Sequence, residues 1–329
     1  MMLQRYFFSQ TKRIRTLSVL FCCIMCVFFL SSCSIKKMAM NSVAGMLAPD
    51  AESGDGQSGA ITAFTSENDP ELVGDAFPVI LKLTEMMMLE NPENDGLAVT
   101  AGQLYVIYAN VFVQAPAEML PPPMVREQNA AYDRACNFFR RGSGYALRGL
   151  DLRYEGFSGQ VFAGGAESRE AALAQTEKAD AAALFWAASG ALANFALNPL
   201  DAAALEMLEG SVAMMERAAE LDATYFGGLI PETLFNFYSA APEFMGGSME
   251  KAEAAFAQAV AVNGGSASLF TTYAKNICIP AQDGEGFDEA IGKALAIRPD
   301  DNPSNRLMTV VAQRRAAWLK ANRSAFFLE

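Results

Sequence analysis

The residues best placed to undergo chemistry are Leu30-Ser31-Ser32-Cys33. They close a stretch with four basic residues (Arg5, Lys12, Arg13, Arg15), no acids, and an apolar run from Leu17 to Leu30. A basic segment, an apolar segment and a small-residue box ending in cysteine form the pattern of a bacterial lipoprotein leader, in which the cysteine becomes acylated. The spacing predicts a signal over residues 1–32, cleavage before Cys33, and lipidation at Cys33. An uncleaved membrane helix is the competing reading, but a run of 14 residues is short of the roughly 17–25 that a span needs. Ser34 after the cysteine favours outer-membrane sorting in some bacteria, and the choice of inner or outer membrane stays open.

Other reactive constellations are scarce. Histidine is absent from all 329 residues, which excludes Ser-His-Asp and Cys-His catalysis and every His-ligated zinc or haem site. The carboxylate pairs Asp151/Glu155 and Glu216/Glu220 sit at helical i, i+4 spacing. General acid–base work requires burial or a partner that shifts a pKa, and neighbouring Arg, Ala and Glu read instead as solvated helix faces. Arg140, Arg141, Arg148 and Arg153 form a basic patch, read as local compensation of acids such as Asp151 and Glu155, with an anionic ligand or partner as the alternative. Gly54, Gly56 and Gly59 match GxGxxG, but no strand precedes them and no helix-opening context follows directly, so they read as linker. No catalytic residue, metal set or cofactor is expected, and the chain is read as non-enzymatic.

Four of the 25 basic residues and none of the 37 acids fall in the leader, so its removal takes the formal charge from −12 to −16. So acidic a body is a poor partner for nucleic-acid phosphates. It would not cling to anionic lipid by charge either, which leaves acyl chains at Cys33 as the membrane attachment. Cys22, Cys23 and Cys26 go with the leader. Of the rest, Cys136 and Cys278 could pair in an oxidising compartment, but buried free thiols are the favoured reading.

The elements that would position any site are helical. Residues 33–68 read as a lipidated tether containing the Gly/Ser/Asp run 53–59, and residues 69–329 as one helical domain. Asn68-Asp69-Pro70-Glu71 is a helix start, with a capping acceptor, Pro in the first turn and an acid near the positive dipole end. That helix ends at Asn91-Pro92, and another runs to about Gln114. After Pro121-Pro122-Pro123, helices are expected around 124–140 and 143–155, then a Gly-rich loop over 156–165. Further helices are expected near 179–196, 201–222, 232–240, 249–263, 266–279, 286–298 and 303–327. Beyond the leader no segment is read as membrane-spanning.

Alanine, leucine, methionine and glutamate outnumber β-branched residues, and Leu205, Leu208, Val212, Met215 and Ala219 step by three and four along one face. The fold class is all-α, with about 11–12 helices. Three helices end alike, at Met215…Ala218…Leu221, Phe256…Ala259…Val262 and Ile291…Ala294…Ile297. Their alanines are 41 and 35 residues apart, near the 34-residue tetratricopeptide period, so tetratricopeptide-like hairpins are expected, with an ordinary helical bundle as the alternative. Met86-Met87-Met88, and Phe235, Phe237 and Tyr238, make helix turns apolar on all sides. Such turns are usually core. The functional alternative is a lining for an apolar ligand, for which Trp186, Tyr238 and Tyr273 are the candidates.

Several runs carry a family resemblance. They are Phe64-Thr-Ser-Glu-Asn-Asp-Pro-Glu-Leu-Val73, Tyr108-Ala-Asn-Val-Phe-Val-Gln-Ala-Pro116, and Asn137-Phe-Phe-Arg-Arg-Gly-Ser-Gly-Tyr-Ala-Leu-Arg-Gly-Leu150. Asp301-Asn-Pro-Ser-Asn-Arg-Leu307 and Ala312-Gln-Arg-Arg-Ala-Ala-Trp-Leu319 complete the set. In order and spacing they resemble the T-components of tripartite ATP-independent periplasmic (TRAP) transporters, over about Met38 to Glu329. The resemblance implies a lipid-anchored periplasmic helical-repeat protein that associates with the substrate-binding P-component. It also implies a homo-oligomer, a trimer being one arrangement, and an apolar channel or groove for a hydrophobic ligand. A lipidated tetratricopeptide-like scaffold for envelope protein assembly is the competing reading, and a helical lyase acting on wall polymers is a distant third.

Overall fold

Thirteen helices and no strand occur among the described residues, 59–328, of a computed structural model. Side chains are described from residue 62 onward. Cys33, the leader and the Gly/Ser/Asp run up to Ser58 lie outside the described residues. The all-α expectation holds. The helices are α1 (Gly59–Thr65), α2 (Pro70–Glu90), α3 (Asp95–Glu118), α4 (Val125–Arg153), α5 (Phe157–Phe162), α6 (Gly165–Ala174) and α7 (Ala181–Leu197). They continue with α8 (Ala202–Asp222), α9 (Tyr225–Ala240), α10 (Met249–Asn263), α11 (Ala267–Tyr273, prolonged to Ala281), α12 (Gly284–Ala296) and α13 (Arg306–Ala321). Helix α1 falls inside the stretch expected to be tether, and Phe64 packs edge-on against Phe77 of α2 with ring centroids 6.0 Å apart.

Local chemistry sets the helix starts. The Asp69 carboxylate accepts from the Glu71 and Leu72 N–H groups at 3.0 Å each, satisfying donors that the first turn leaves open. Asn94, Asp201, Ser248, Ser266 and Asp283 cap α3, α8, α10, α11 and α12 in the same way.

The expected break between 140 and 143 does not occur: Val125–Arg153 is one helix of 29 residues. Gly142 and Gly149 serve contact instead. A Cβ on Gly142 would lie 2.8 Å from a Val106 methyl and 2.9 Å from the Gly102 carbonyl of α3. On the far side, a Cβ on Gly190 of α7 would come within 2.7 Å of the Phe139 carbonyl. Helices α3, α4 and α7 therefore cross almost backbone to backbone, and any side chain there would push them apart. The Gly-rich stretch 156–165 also differs from expectation, because it contains α5, whose Phe157 and Val161 are buried.

Helices α3 and α7 are long and apolar enough to cross a membrane by length and composition, but 83% and 78% of those windows are buried inside the protein. They are core helices. Sequence neighbours pack together, α7 on α8, α9 on α10 and α11 on α12. The three alanines of the repeated endings, Ala218, Ala259 and Ala294, are all fully buried, as close helix approach requires. Cys136 and Cys278 are both free and buried.

The ends of this helical series are fastened together. Arg306 of α13 donates to the Ser66 carbonyl at 2.9 Å, and Arg314 pairs with Glu71 on α2. That arginine holds the Glu71 carboxyl down at about 2.

Candidate functional site

A cavity of about 460 Å³ opens where the C-terminal helix meets the early helices. Residues from the end of α3, from α4, α9, α11 and α13, and Phe326 line it. Its apolar surface comes from Met119, Ile279, Ala312, Trp318, Leu319 and Phe326, and its polar surface from Asn110, Gln114, Glu118, Tyr132, Asn236, Lys275 and Arg315, among others.

Two of these walls share an unusual backbone. Helix α3 passes into a π-helical stretch at Ala109–Gln114, and α11 does so at Ala274–Cys278. Each is followed by a proline, Pro116 and Pro280, which lacks the N–H that would continue the helix and whose ring crowds the preceding turn. The wider π turn accommodates that misfit, and such bulges recur at functional sites. The local sequences match: Tyr108-Ala109 precedes the first and Tyr273-Ala274 the second. Counting from these pairs, Asn110 corresponds to Lys275 and Gln114 to Ile279, and all four line the cavity.

The polar corner is organised by Glu118. Its two carboxylate oxygens accept from Gln114 Nε2 at 2.8 Å and pair with Arg315 Nη2 at 3.1 Å. Both groups are about three-quarters buried. Burial and the Glu118 charge raise the Tyr132 hydroxyl above its ordinary pKa. Lys275 makes no ion pair among the described residues, so the cavity carries one uncompensated positive charge in an acidic protein.

One buried acid supports this wall from behind. Ser268, which lines the cavity, donates to Glu232 at 2.5 Å. Burial pushes the Glu232 carboxyl up, against hydrogen bonds from Ser266, Ser268 and Asn263 that pull it down. The folded protein therefore favours the protonated acid. That contribution to stability is complete below the ordinary carboxylate pKa of about 4.3 and is lost as pH rises through the elevated value. Glu232→Gln should stay level across that window while the parent protein declines, as thermal melts at stepped pH would show.

The aromatic candidates lie elsewhere. Trp186 is 3% exposed, with its indole N–H donating to the Tyr225 hydroxyl at 2.9 Å in the core. Tyr238 is buried, donates to Glu216 and sits under the Lys251 ammonium. Tyr273 packs against Phe235 and Phe256, next to the lining residue Thr272. The structure does not bring the three together. Trp318, Arg315, Lys275 and Asn110 line the cavity without having been singled out as site residues. The paired Tyr-Ala…Pro pattern was the available signal.

Apart from Glu155, the suspected acids and bases have structural partners among the described residues. Asp151 caps α5 through the Ser158 N–H and hydroxyl, Glu216 pairs with Lys251, and Glu220 with Arg217. Arg140 bonds Asn137, and Arg148 the Pro92 carbonyl. Arg141 reaches Glu85, and Arg153 reaches Asp95 and Asp180. The acids that meet this patch are Glu85, Asp95 and Asp180, distant in sequence, and no ion pair to Asp151 or Glu155 occurs among the described residues.

Fold and site together define a helical protein with a ligand-sized cavity where α3, α11 and the C-terminal helix α13 meet. The sequence profile of the TRAP transporter T-component family matches residues 66–327. An uncharacterized protein of Treponema pallidum (strain Nichols) is 39% identical over 314 residues, covering 93% of this chain and 95% of that protein. The chain belongs to the TRAP transporter T-component family, a family of accessory transport proteins.

Proposed function

We propose that this subunit is held on the periplasmic side by acylation at Cys33, binds the substrate-binding P-component as a homo-oligomer, and passes a hydrophobic ligand through the cavity between α3, α11 and α13. Its tetratricopeptide-like hairpins are the scaffold for that contact. The observation that carries the reading is the cavity itself. A volume of about 460 Å³ falls within the range of small-molecule sites, which join an apolar lining to a few placed polar groups. Part of its wall comes from the 108–116 and 312–319 runs that mark the family resemblance. Of the expected aromatics, Tyr273 serves as support behind Thr272, while Trp186 and Tyr238 pack in the core away from the lining.

Native mass spectrometry of the chain with its cognate P-component tests this. The expected result is a defined complex, with a lipid-like mass retained on the subunit. Thr272→Trp, which places an indole in the cavity, should abolish the retained mass and leave the complex intact. Loss of neither would remove the cavity from the reading. Failure to bind the P-component, with capture of envelope peptides instead, would favour the assembly scaffold.

A further inference from the structure

Buried polar side-chain atoms in folded proteins are nearly all hydrogen-bonded, so each exception calls for an explanation. Five such atoms have no partner among the described residues, and two of them, Gln114 Oε1 and Arg315 Nε, belong to residues that line the cavity between α3, α11 and α13. Both residues flank one carboxylate. Glu118 accepts from Gln114 Nε2 at 2.8 Å and pairs with Arg315 Nη2 at 3.1 Å. That contact also fixes the Gln114 amide, because its NH₂ and not its carbonyl must meet the carboxylate. The corner thus holds an acceptor with open lone pairs, a donor with an open N–H, and between them an ion pair already closed.

Taking the cavity as the subunit's ligand site, we propose that this corner binds the hydroxyl of an uncharged amphiphile. The hydroxyl donates to Gln114 Oε1 and accepts from Arg315 Nε, and the hydrocarbon body lies along Ile279, Trp318 and Leu319 of the lining. Charge decides between head groups. A carboxylate or phosphate would offer no proton to Gln114 Oε1 and would stand beside Glu118. An ammonium would leave Arg315 Nε unmet and face its guanidinium. A hydroxyl carries both a proton and lone pairs, so it answers both atoms without adding charge. Tyr132 agrees with a neutral corner: burial and the Glu118 charge raise its hydroxyl, against the pull of Arg315, and keep it protonated. Lys275 is the unpaired cation of the lining, but it is exposed, as are Asn236 and Ser268. Its ammonium keeps its water and is screened by salt, whereas Glu118 and Arg315 are about three-quarters buried. The polar end therefore points inward, and the lysine stands at the mouth.

A site built to hydrogen-bond a hydroxyl rejects analogues that lack it, because its own buried groups are then left unpaired. Straight-chain probes that differ only at the head test this: octanol, octyl methyl ether, octanoate and octylammonium. Each is titrated at neutral pH into the full chain in nanodiscs, with empty nanodiscs as the blank, and followed by tryptophan fluorescence, to which Trp318 responds. Octanol is expected to bind about tenfold tighter than both ions and than the ether, which accepts but cannot donate. Gln114→Met keeps the side-chain length and removes the acceptor; it should bring octanol to the level of the ether and leave the ether unchanged. Thr272→Trp should abolish binding of octanol, which places the probe in the cavity. The ranking of heads on the unaltered protein decides the matter even where a variant fails to fold. Octanoate binding tighter than octanol, with that preference lost in Lys275→Ala, would overturn the hydroxyl assignment and leave the cavity a site for anions. Equal binding of all heads would overturn it too, leaving an apolar site without a polar anchor. Binding of none would overturn the cavity as ligand site, on which the hydroxyl assignment rests.

Discussion

Replacing Gly142 with leucine is expected to lower stability by about 3 kcal/mol, at the upper end of the cost of overpacking a filled contact. For a unit of this size that is roughly 6–12 °C in melting temperature. The contact leaves no route for relief, because the atoms that a Cβ would meet are the Gly102 carbonyl and a Val106 methyl on a helix that is itself buried. Gly144, two residues along the same helix, provides the control. Nothing lies within 4 Å of its Cβ position and the residue is exposed. Gly144→Leu should therefore gain helix propensity, of order 0.5–1 kcal/mol, with no opposing clash. Circular dichroism melts of the two variants check both signs. Equal loss at both positions would mean that helix α4 does not cross α3 at close range.

The second large effect is expected at Asp180. This carboxylate is 3% exposed and accepts from Arg153 at 2.6 Å, the Tyr154 hydroxyl at 2.6 Å and the Glu177 N–H at 2.9 Å. Asp180→Ala leaves all three donors without that acceptor. Arg153 keeps its pair with Asp95 and is partly exposed, so the expected cost is that of the lost charge-assisted hydrogen bonds, about 2–3 kcal/mol. Burial alone would raise the Asp180 carboxyl, but the three hydrogen bonds and the arginine charge outweigh it and hold its pKa below the ordinary value. The sign of the pH effect follows. A depressed acid contributes stability that is full above the unfolded-state value of about 3.9 and is lost as pH falls through the folded one. The stability difference between the parent protein and Asp180→Asn should be largest near neutrality and shrink only in strongly acid solution. A difference already vanishing at pH 5–6 would contradict the assigned network.

Much of the fold was legible because helix ends are written locally. Asp69-Pro70 and Asn94-Asp95 announce helix starts by side-chain chemistry, and both act as caps in the structure. Glycine is different. Gly142 and Gly144 look alike in sequence, and only the presence of α3 against one of them makes it a contact residue. The same limit hid the cavity. Asn110, Lys275 and Arg315 occupy ordinary-looking helix positions, and their meeting depends on how segments about 200 residues apart come together. Trp186 attracted attention by its size, but size reports how much surface a residue buries and not which cavity it faces.

Fastening α13 to Ser66 and Glu71 has a consequence in time. These partners are 240 and 243 positions apart, so the link can form only after nearly the whole chain has been delivered. Distant closures carry an entropic cost and slow folding relative to neighbouring helix pairs. A chain still emerging during synthesis can assemble α3 on α4 and α7 on α8, but it lacks the α13 wall that Arg315 and Trp318 supply. The cavity is therefore the last feature the protein completes, and a chain clipped before residue 306 would keep most of its helices and lack that wall.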